Sequence, residues 1–186
     1  PTRAVTFLLG AEPGVIAGVG LSLALYLWRS SRPHAAIVGR VPETGHFRNV
    51  KRHNVLTDPC VLTIRIDESL TYLNARWLEE FVLETVADHP KAKHLVLMSS
   101  AVNSIDASAL ESLEAINHRL ADAGIKLHLS EVKGPVMDRL ERSPFLEELS
   151  GQVFLSQDEA FSSLISRRNE EAPPQRDDPW MARGLI

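Results

Sequence analysis

Asn103, Ser104, Asp106 and Ser108 fall together in Asn103-Ser104-Ile105-Asp106-Ala107-Ser108, and their amide, hydroxyl and carboxylate groups could bind an anion, accept a phosphoryl group or meet a partner. The run His94 to Met98 before them is short and apolar, which suits a strand buried on both faces. After them, Ala109, Leu113, Ile116, Leu120 and Ala123 form a helical stripe ending at Gly124, where a left-handed cap is expected. The loop thus lies at the carboxyl end of a strand and the amino end of a helix. Unpaired N–H groups favour anions there, and open α/β sheets place ligand sites there. Ser108-Ala109-Leu110-Glu111 is also a capping box, and Asp106 is an alternative N-cap, so both side chains could simply close the helix. For Ser108 we favour the structural role.

Other chemistry is thinly represented. His34, His46, His53, His89, His94, His118 and His128 form no metal-ligand pair at helical spacing with a supporting acid or cysteine, so a zinc site is not expected. There is no Walker-type glycine loop, and no nucleophile elbow surrounds a serine. Neither an enzyme nor a cofactor is indicated. Cys60 is the only cysteine, which excludes an internal disulfide. With 20 Lys and Arg against 24 Asp and Glu, the net charge is −4, and nucleic acid is not an expected partner.

The elements that position the loop can be read around it. Ala35 to Val41 is a short strand candidate, closed by a turn at Pro42 and Gly45; Cys60 to Ile66 is a second strand. A helix from Ala75 to Asp88 carries Leu78, Phe81, Val82, Thr85 and Val86 on one stripe, with Asn74 as its N-cap. Tyr72 and Asn74 lie in the turn before it, on the same edge as Ser108 if the sheet is parallel there, and turn and cap chemistry is their ordinary role. Ile125 to Val132 alternates as a further strand, and Pro135 opens a helix that Ser143-Pro144 ends. Phe145 to Leu149 adds a turn and Val153 to Leu155 a last short strand. Ser156-Gln157-Asp158-Glu159 is a capping box opening a helix with Ala160, Phe161, Leu164 and Ile165 on one face. Strands alternating with helices at this spacing predict a small α/β sandwich.

The front of the chain differs. Ala4 to Trp28 carries one charge, Glu12, and is followed by Arg29, Arg32 and Arg40. That order opposes a signal peptide and suits a last membrane helix delivering the chain into the cytoplasm. Glu12-Pro13 breaks the run, leaving Pro13 to Trp28 as one short helix, slightly under the ~20 residues of an upright span. Thr2 to Leu9 reads as the tail of the preceding helix. Arg48, Lys51, Arg52 and His53 form a basic run that is either a solvated face or attracted to anionic lipid headgroups. Glu170 to Ile186, rich in Pro and charge, reads as a disordered tail.

The junction carries a resemblance. GVIAGVGLSLALYLW running into RSSRPHAAIVGRVPETGHFRNV resembles the end of the membrane region of the SulP anion transporters and their linker into a cytoplasmic STAS domain. VLTIRIDESLTYLNA at Val61 to Ala75 is similar to that family's second strand and its following turn, and NSIDASAL at Asn103 to Leu110 is similar to the Asp-Ser-Ser-Gly-Leu loop of anti-sigma factor antagonists. The likeness covers about Gly14 to Ile165. It implies an α/β, STAS-like small sheet of about four to five strands packed with helices, preceded by a transmembrane helix remnant. It divides the chain into residues 1–29, the end of a transmembrane domain with its last helix at about 13–28; 30–56, a linker and first strand; and 57–166, the remainder of a domain starting at about 35. Residues 167–186 form the tail.

The resemblance implies the regulatory or assembly domain of a secondary transporter of sulphate, bicarbonate or a related anion. The expected place is the cell membrane, in a multi-pass protein with this domain on the cytoplasmic side. Expected partners are the membrane, the rest of the transmembrane domain, a second copy in the intact transporter, and a cytoplasmic regulatory protein or nucleotide. It places a phosphorylated serine on Ser108, although Ala107 and Ala109 depart from the antagonists' pattern. It also suggests Asp67, Tyr72 and Asn74 as a nucleotide or anion pocket, and Asn103, Ser104, Asp106 and Ser108 as a regulatory or partner-binding surface. The rival reading is a soluble module of the anti-sigma antagonist type that binds a partner through the Ser108 loop.

Overall fold

Period-two burial sorts the central strands onto two faces. In β3 (Val61–Ile66), Leu62, Ile64 and Ile66 enter one core while Val61 and Thr63 point to the opposite side. β4 (His94–Met98) and β5 (Lys126–Ser130) repeat the division: Leu95, Leu97, Leu127 and Leu129 join the first core, whereas Val96, His128 and Ser130 face the other way. These coordinates, a computed structural model, describe residues 11–171. Within them β1 (Ala35–Arg40), β2 (Phe47–Asn49) and β6 (Val153–Phe154) complete a six-stranded sheet in the order β2-β1-β3-β4-β5-β6. β1 runs antiparallel to both β2 and β3, and β3 through β6 are parallel.

Helices α2 (Ala75–Ala87) and α3 (Ala107–Asp122) cover the larger apolar face, with Leu78, Val82, Leu113, Ile116 and Leu120 buried against it. α3 ends as expected, with Gly124 at φ 74°, a left-handed conformation that costs glycine nothing. The short helices α4 (Gly134–Glu141) and α5 (Phe145–Glu148) close this core at one side through Val136, Leu140 and Phe145. Buried Asn117 ties α3 to the following turn, donating to the Glu148 carbonyl and accepting from the Ser150 amide and hydroxyl.

The second face is smaller and more polar. There α6 (Gln157–Glu171) lays Ala160, Phe161 and Leu164 over Ala36, Val38, Phe47 and Val96. Ser156 accepts from the Glu159 amide, as a capping box requires. The box's second residue, Gln157, does more than the sequence suggests. Its side chain accepts from Ser130 Oγ at 2.6 Å and donates to Thr63 Oγ1 at 3.0 Å, so the polar residues of two strands are satisfied by one buried amide. Lower on the same face, buried His128 accepts the Gln152 amide at Nδ1 and meets His94 Nδ1 through Nε2 at 3.1 Å. With Nδ1 an acceptor, the neutral ring carries its proton on Nε2 and donates it to His94.

Three expectations change. The sheet has six strands rather than four to five, because Phe47–Asn49 pairs with β1 along Val38, Gly39 and Arg40. Helix α6 continues to Glu171, past Arg167 where the apolar pattern stops, and Arg168 reaches back to Asp58; residues 172–186 of the expected tail lie outside the described residues. The front helix α1 runs Ala11–Ser31, longer than 13–28, with Pro13 accommodated in its first turn. Among the described residues no helix is long and apolar enough to cross a membrane, which departs from the expected transmembrane remnant at about 13–28. Three glycines, Gly14, Gly18 and Gly20, with Ser22 dilute the hydropathy of this helix. The reading of Thr2 to Leu9 falls outside the described residues.

Candidate functional site

The loops leaving β3 and β4 are stitched together at the carboxyl edge of the sheet. Leu70 and Ile105 form an isolated parallel bridge: the Leu70 amide donates to the Ser104 carbonyl and the Asp106 amide to the Leu70 carbonyl. Asp106 secures this join. Its backbone is extended, Oδ1 accepts from the Ala109 amide at 2.9 Å as the N-cap of α3, and Oδ2 accepts from the Tyr72 amide at 2.8 Å. Of the two capping arrangements open in the sequence, the structure adopts the one through Asp106. Ser108 therefore lies inside the first turn of α3 and is exposed.

Asn103 and Ser104 are also exposed. The Asn103 amide donates to Ser69 Oγ, and its side-chain oxygen accepts from Lys133 Nζ at 2.6 Å. Lys133 and Ser69 were not expected here: one follows β5 and the other precedes the Tyr72 turn, and no spacing in the sequence connects them to Asn103. Lys133 supplies a positive charge on the loop edge that already has the amino end of α3.

The second candidate group does not converge. Asp67 is already engaged: it accepts from Arg65 Nε at 2.6 Å and Nη2 at 3.1 Å, and pairs with His34 Nδ1 at 2.7 Å. Burial by itself would raise the Asp67 carboxyl, but the hydrogen bonds and charges of Arg65 and His34 outweigh it and hold it below the usual 3.8. Asn74 occupies the N-cap position of α2 without making a cap hydrogen bond. Its buried side chain instead accepts from the Thr71 amide at 2.9 Å and donates to the carbonyls of Ser69 at 2.9 Å and Ser30 at 3.5 Å. Only Tyr72 presents its side chain, which is 67 % exposed.

Two cavities lie away from these residues. One, of about 270 Å³, is bounded by the start of β1, residues 49–51 and the Phe81–His89 side of α2. The other, of about 340 Å³, opens where β1 and β3 splay apart beyond Ile37 and Ile64, and includes Thr57, Pro59 and Phe161. Neither is lined by Asp67, Tyr72, Asn74 or the Asn103–Ser108 loop. Among the described residues no group of three or more His, Cys, Asp or Glu side chains could hold a metal ion. The site is therefore an exposed loop edge, its backbone hydrogen-bonded across the two loops, with hydroxyl, amide, phenol and ammonium groups facing outward.

A parallel sheet entered by an antiparallel first strand, with a strand–loop–helix edge capped by an aspartate, agrees with the family profile described as the STAS domain, which matches residues 52–160. The chain belongs to the STAS domain family. This STAS domain is 29 % identical to sulfate transporter 1.3 of Arabidopsis thaliana over 174 residues, covering 88 % of the chain and 26 % of that protein. The chain thus spans about a quarter of the length of that relative. Its fold is that found in murine Solute Carrier 26 family member A9, an anion transporter solved in the inward-facing state, with a TM-score of 0.77 at 18 % identity over 88 % of this chain and 27 % of that one. The SulP transporter STAS domain from Vibrio cholerae superimposes with a TM-score of 0.52 at 17 % identity, over 65 % of this chain and 92 % of that domain. The SulP-type resemblance drawn from the junction, the second strand and the loop is borne out by these likenesses.

Proposed function

We propose that this chain is the regulatory and assembly STAS portion of a SulP-type secondary transporter of sulphate, bicarbonate or a related anion. The observation that carries the reading is the breadth of the match. The sulfate transporter likeness covers 88 % of the chain, more than the 52–160 of the domain alone. α1 agrees with it. Val15, Ile16, Val19, Leu23, Leu25, Tyr26 and Trp28 are all more than half exposed on a helix that is apolar around its circumference. Such a helix needs an apolar environment from outside this domain, as the membrane portion of a transporter would provide.

On this reading the transported anion is bound in the membrane portion and not by the residues described here. The protein resides in the cell membrane, this domain stands on the cytoplasmic side, and two copies associate in the intact transporter. The Tyr72, Ser104 and Ser108 side chains form the surface offered to a cytoplasmic regulator. Asp106 and Asn74 hold that surface in shape. Phosphorylation of Ser108 is not required for it, since an exposed first-turn serine can contact a partner unmodified.

The test is deletion of residues 35–165 from the intact transporter, followed by radiolabelled sulphate uptake and surface biotinylation. Uptake or surface level should fall. If both are unchanged, the regulatory and assembly role is lost.

A further inference from the structure

The turn after β2, which carries Lys51 and Arg52, is returned by the fold to the start of β1, the strand that the linker with Arg32 leads into. α1 ends at Ser31 and the chain enters β1 at Ala35, beside the end of β3 where Ala35 pairs with Ile66. β2 returns antiparallel, so that the Val50 amide donates to the Ile37 carbonyl and Lys51 lines the same cavity as Ala35 and Ala36. The turn is then closed by the Arg52 and His53 amides donating to the Asn49 carbonyl. Lys51 and the turn that carries Arg52 are thereby set beside the start of β1, just after Arg32, while Arg29 occupies the last turn of α1.

All four are exposed. None is paired with a carboxylate among the described residues, whereas Arg40, Arg65, Arg76, Arg119 and Arg168 each are. Glu84 and Asp88 on α2 line the Lys51 cavity without an ion pair to it among the described residues, and Asp67, near Arg32 through His34, is taken up by His34 and Arg65. Four unneutralised cations beside a helix that is apolar on every side match the two parts of a lipid surface, its hydrocarbon and its charged headgroups.

We propose that Arg29, Arg32, Lys51 and Arg52 form a contact surface for anionic lipid headgroups, which seats the STAS domain against the bilayer at the base of α1. The inference rests on the transporter reading, and it adds a lipid-class preference that this reading does not contain. Since the whole chain carries a net charge of −4, a general electrostatic effect would repel it from anionic vesicles. A preference for them must come from a local surface.

The experiment uses the full chain with vesicles of phosphatidylcholine alone and of phosphatidylcholine mixed with phosphatidylglycerol, read by co-sedimentation. At about one kcal/mol for each basic residue near the surface, each contributes about fivefold to the ratio of the two partition coefficients. K51Q/R52Q should therefore lower that ratio about twenty-five-fold, and raised salt should lower it as well. R139Q/R142Q, the same charge change on exposed α4 and its C-cap, should leave it unchanged. An equal loss in both pairs would reduce the effect to net charge and overturn the proposal. Binding to both vesicle types without a phosphatidylglycerol preference would overturn it while leaving attachment through α1, and the transporter reading, intact. Absence of binding to either would overturn the surface and the attachment together. Thermal melts of both variants establish that they fold, and single K51Q and R52Q proteins provide the ratio if the double variant does not.

Discussion

Acidification should destabilise this domain at one identifiable pair of rings. His128 is held at about 4, below the ordinary 6.5, by burial first and then by the positive charges of His94, Lys126 and Arg167. A proton added to Nδ1 would also displace the Gln152 amide, whose only role there is to donate to that nitrogen. The folded pKa lies below the unfolded one, so between these values the unfolded chain binds the extra proton. The stabilisation is complete above about 6.5 and is lost as pH falls through the window toward 4. The shift is about 2.5 units, or at most about 3.4 kcal/mol at 1.36 kcal/mol per unit. At pH 4.5 most of it is spent, and access of water to half-buried His94 reduces the expected loss to about 2 kcal/mol. Urea unfolding at pH 7 and pH 4.5, in wild type and H128Q, measures this directly. The glutamine retains an acceptor for Gln152 but does not titrate, so its stability should change by about 2 kcal/mol less than wild type over that interval. Equal acid losses in the two proteins would refute the argument. Asp67 does not confuse the comparison: its pKa is depressed below 3.8, so the stability it contributes is lost at lower pH.

Asp106→Ala removes an N-cap and the Tyr72 link at once, and should cost about 1–2 kcal/mol by chemical denaturation; Asp106→Asn should recover much of that loss, and no change in the alanine protein would contradict the assigned role. Gly151→Ala should be more damaging, about 3 kcal/mol or beyond, because the new Cβ would overlap the Leu127 carbonyl oxygen and crowd the His128 ring, and a melting temperature within a degree or two of wild type would show that the approach is not tight.

The elements whose pattern is self-contained are legible in the chain. β3 and β4 announce themselves as apolar runs, β5 by alternation, α3 by its stripe and terminal glycine, and α6 by Ser156 through Glu159. β2 does not: Phe47–Asn49 is too short for alternation, carries a charge, and exists because β1 supplies a partner edge. The same difference separates the site residues. Asp106 works through its own helix and is readable as a cap. Asn74 sits where a cap belongs, yet its amide bonds the preceding turn, a choice made by burial against Ser30 and Ser69. The pairing of Asp67 with His34, and of Asn103 with Lys133, depends on how strands align, so no local pattern encodes it.

Asn74 joins two things that move independently in most proteins, an incoming segment and a surface loop. One amide group bonds the Ser30 carbonyl at the end of α1 and the Ser69 carbonyl of the turn that touches Asn103 and Asp106. Thermodynamic reciprocity follows for any ligand sensitive to that arrangement. If a regulator binds the loop edge ten times more tightly with α1 seated, it shifts the seating equilibrium of α1 by the same tenfold, about 1.4 kcal/mol, and a change in the helix alters the regulator's affinity by an identical factor. Loss of the Asn74 side chain would weaken this coupling and loosen the Ser69–Thr71 turn on which the loop edge rests.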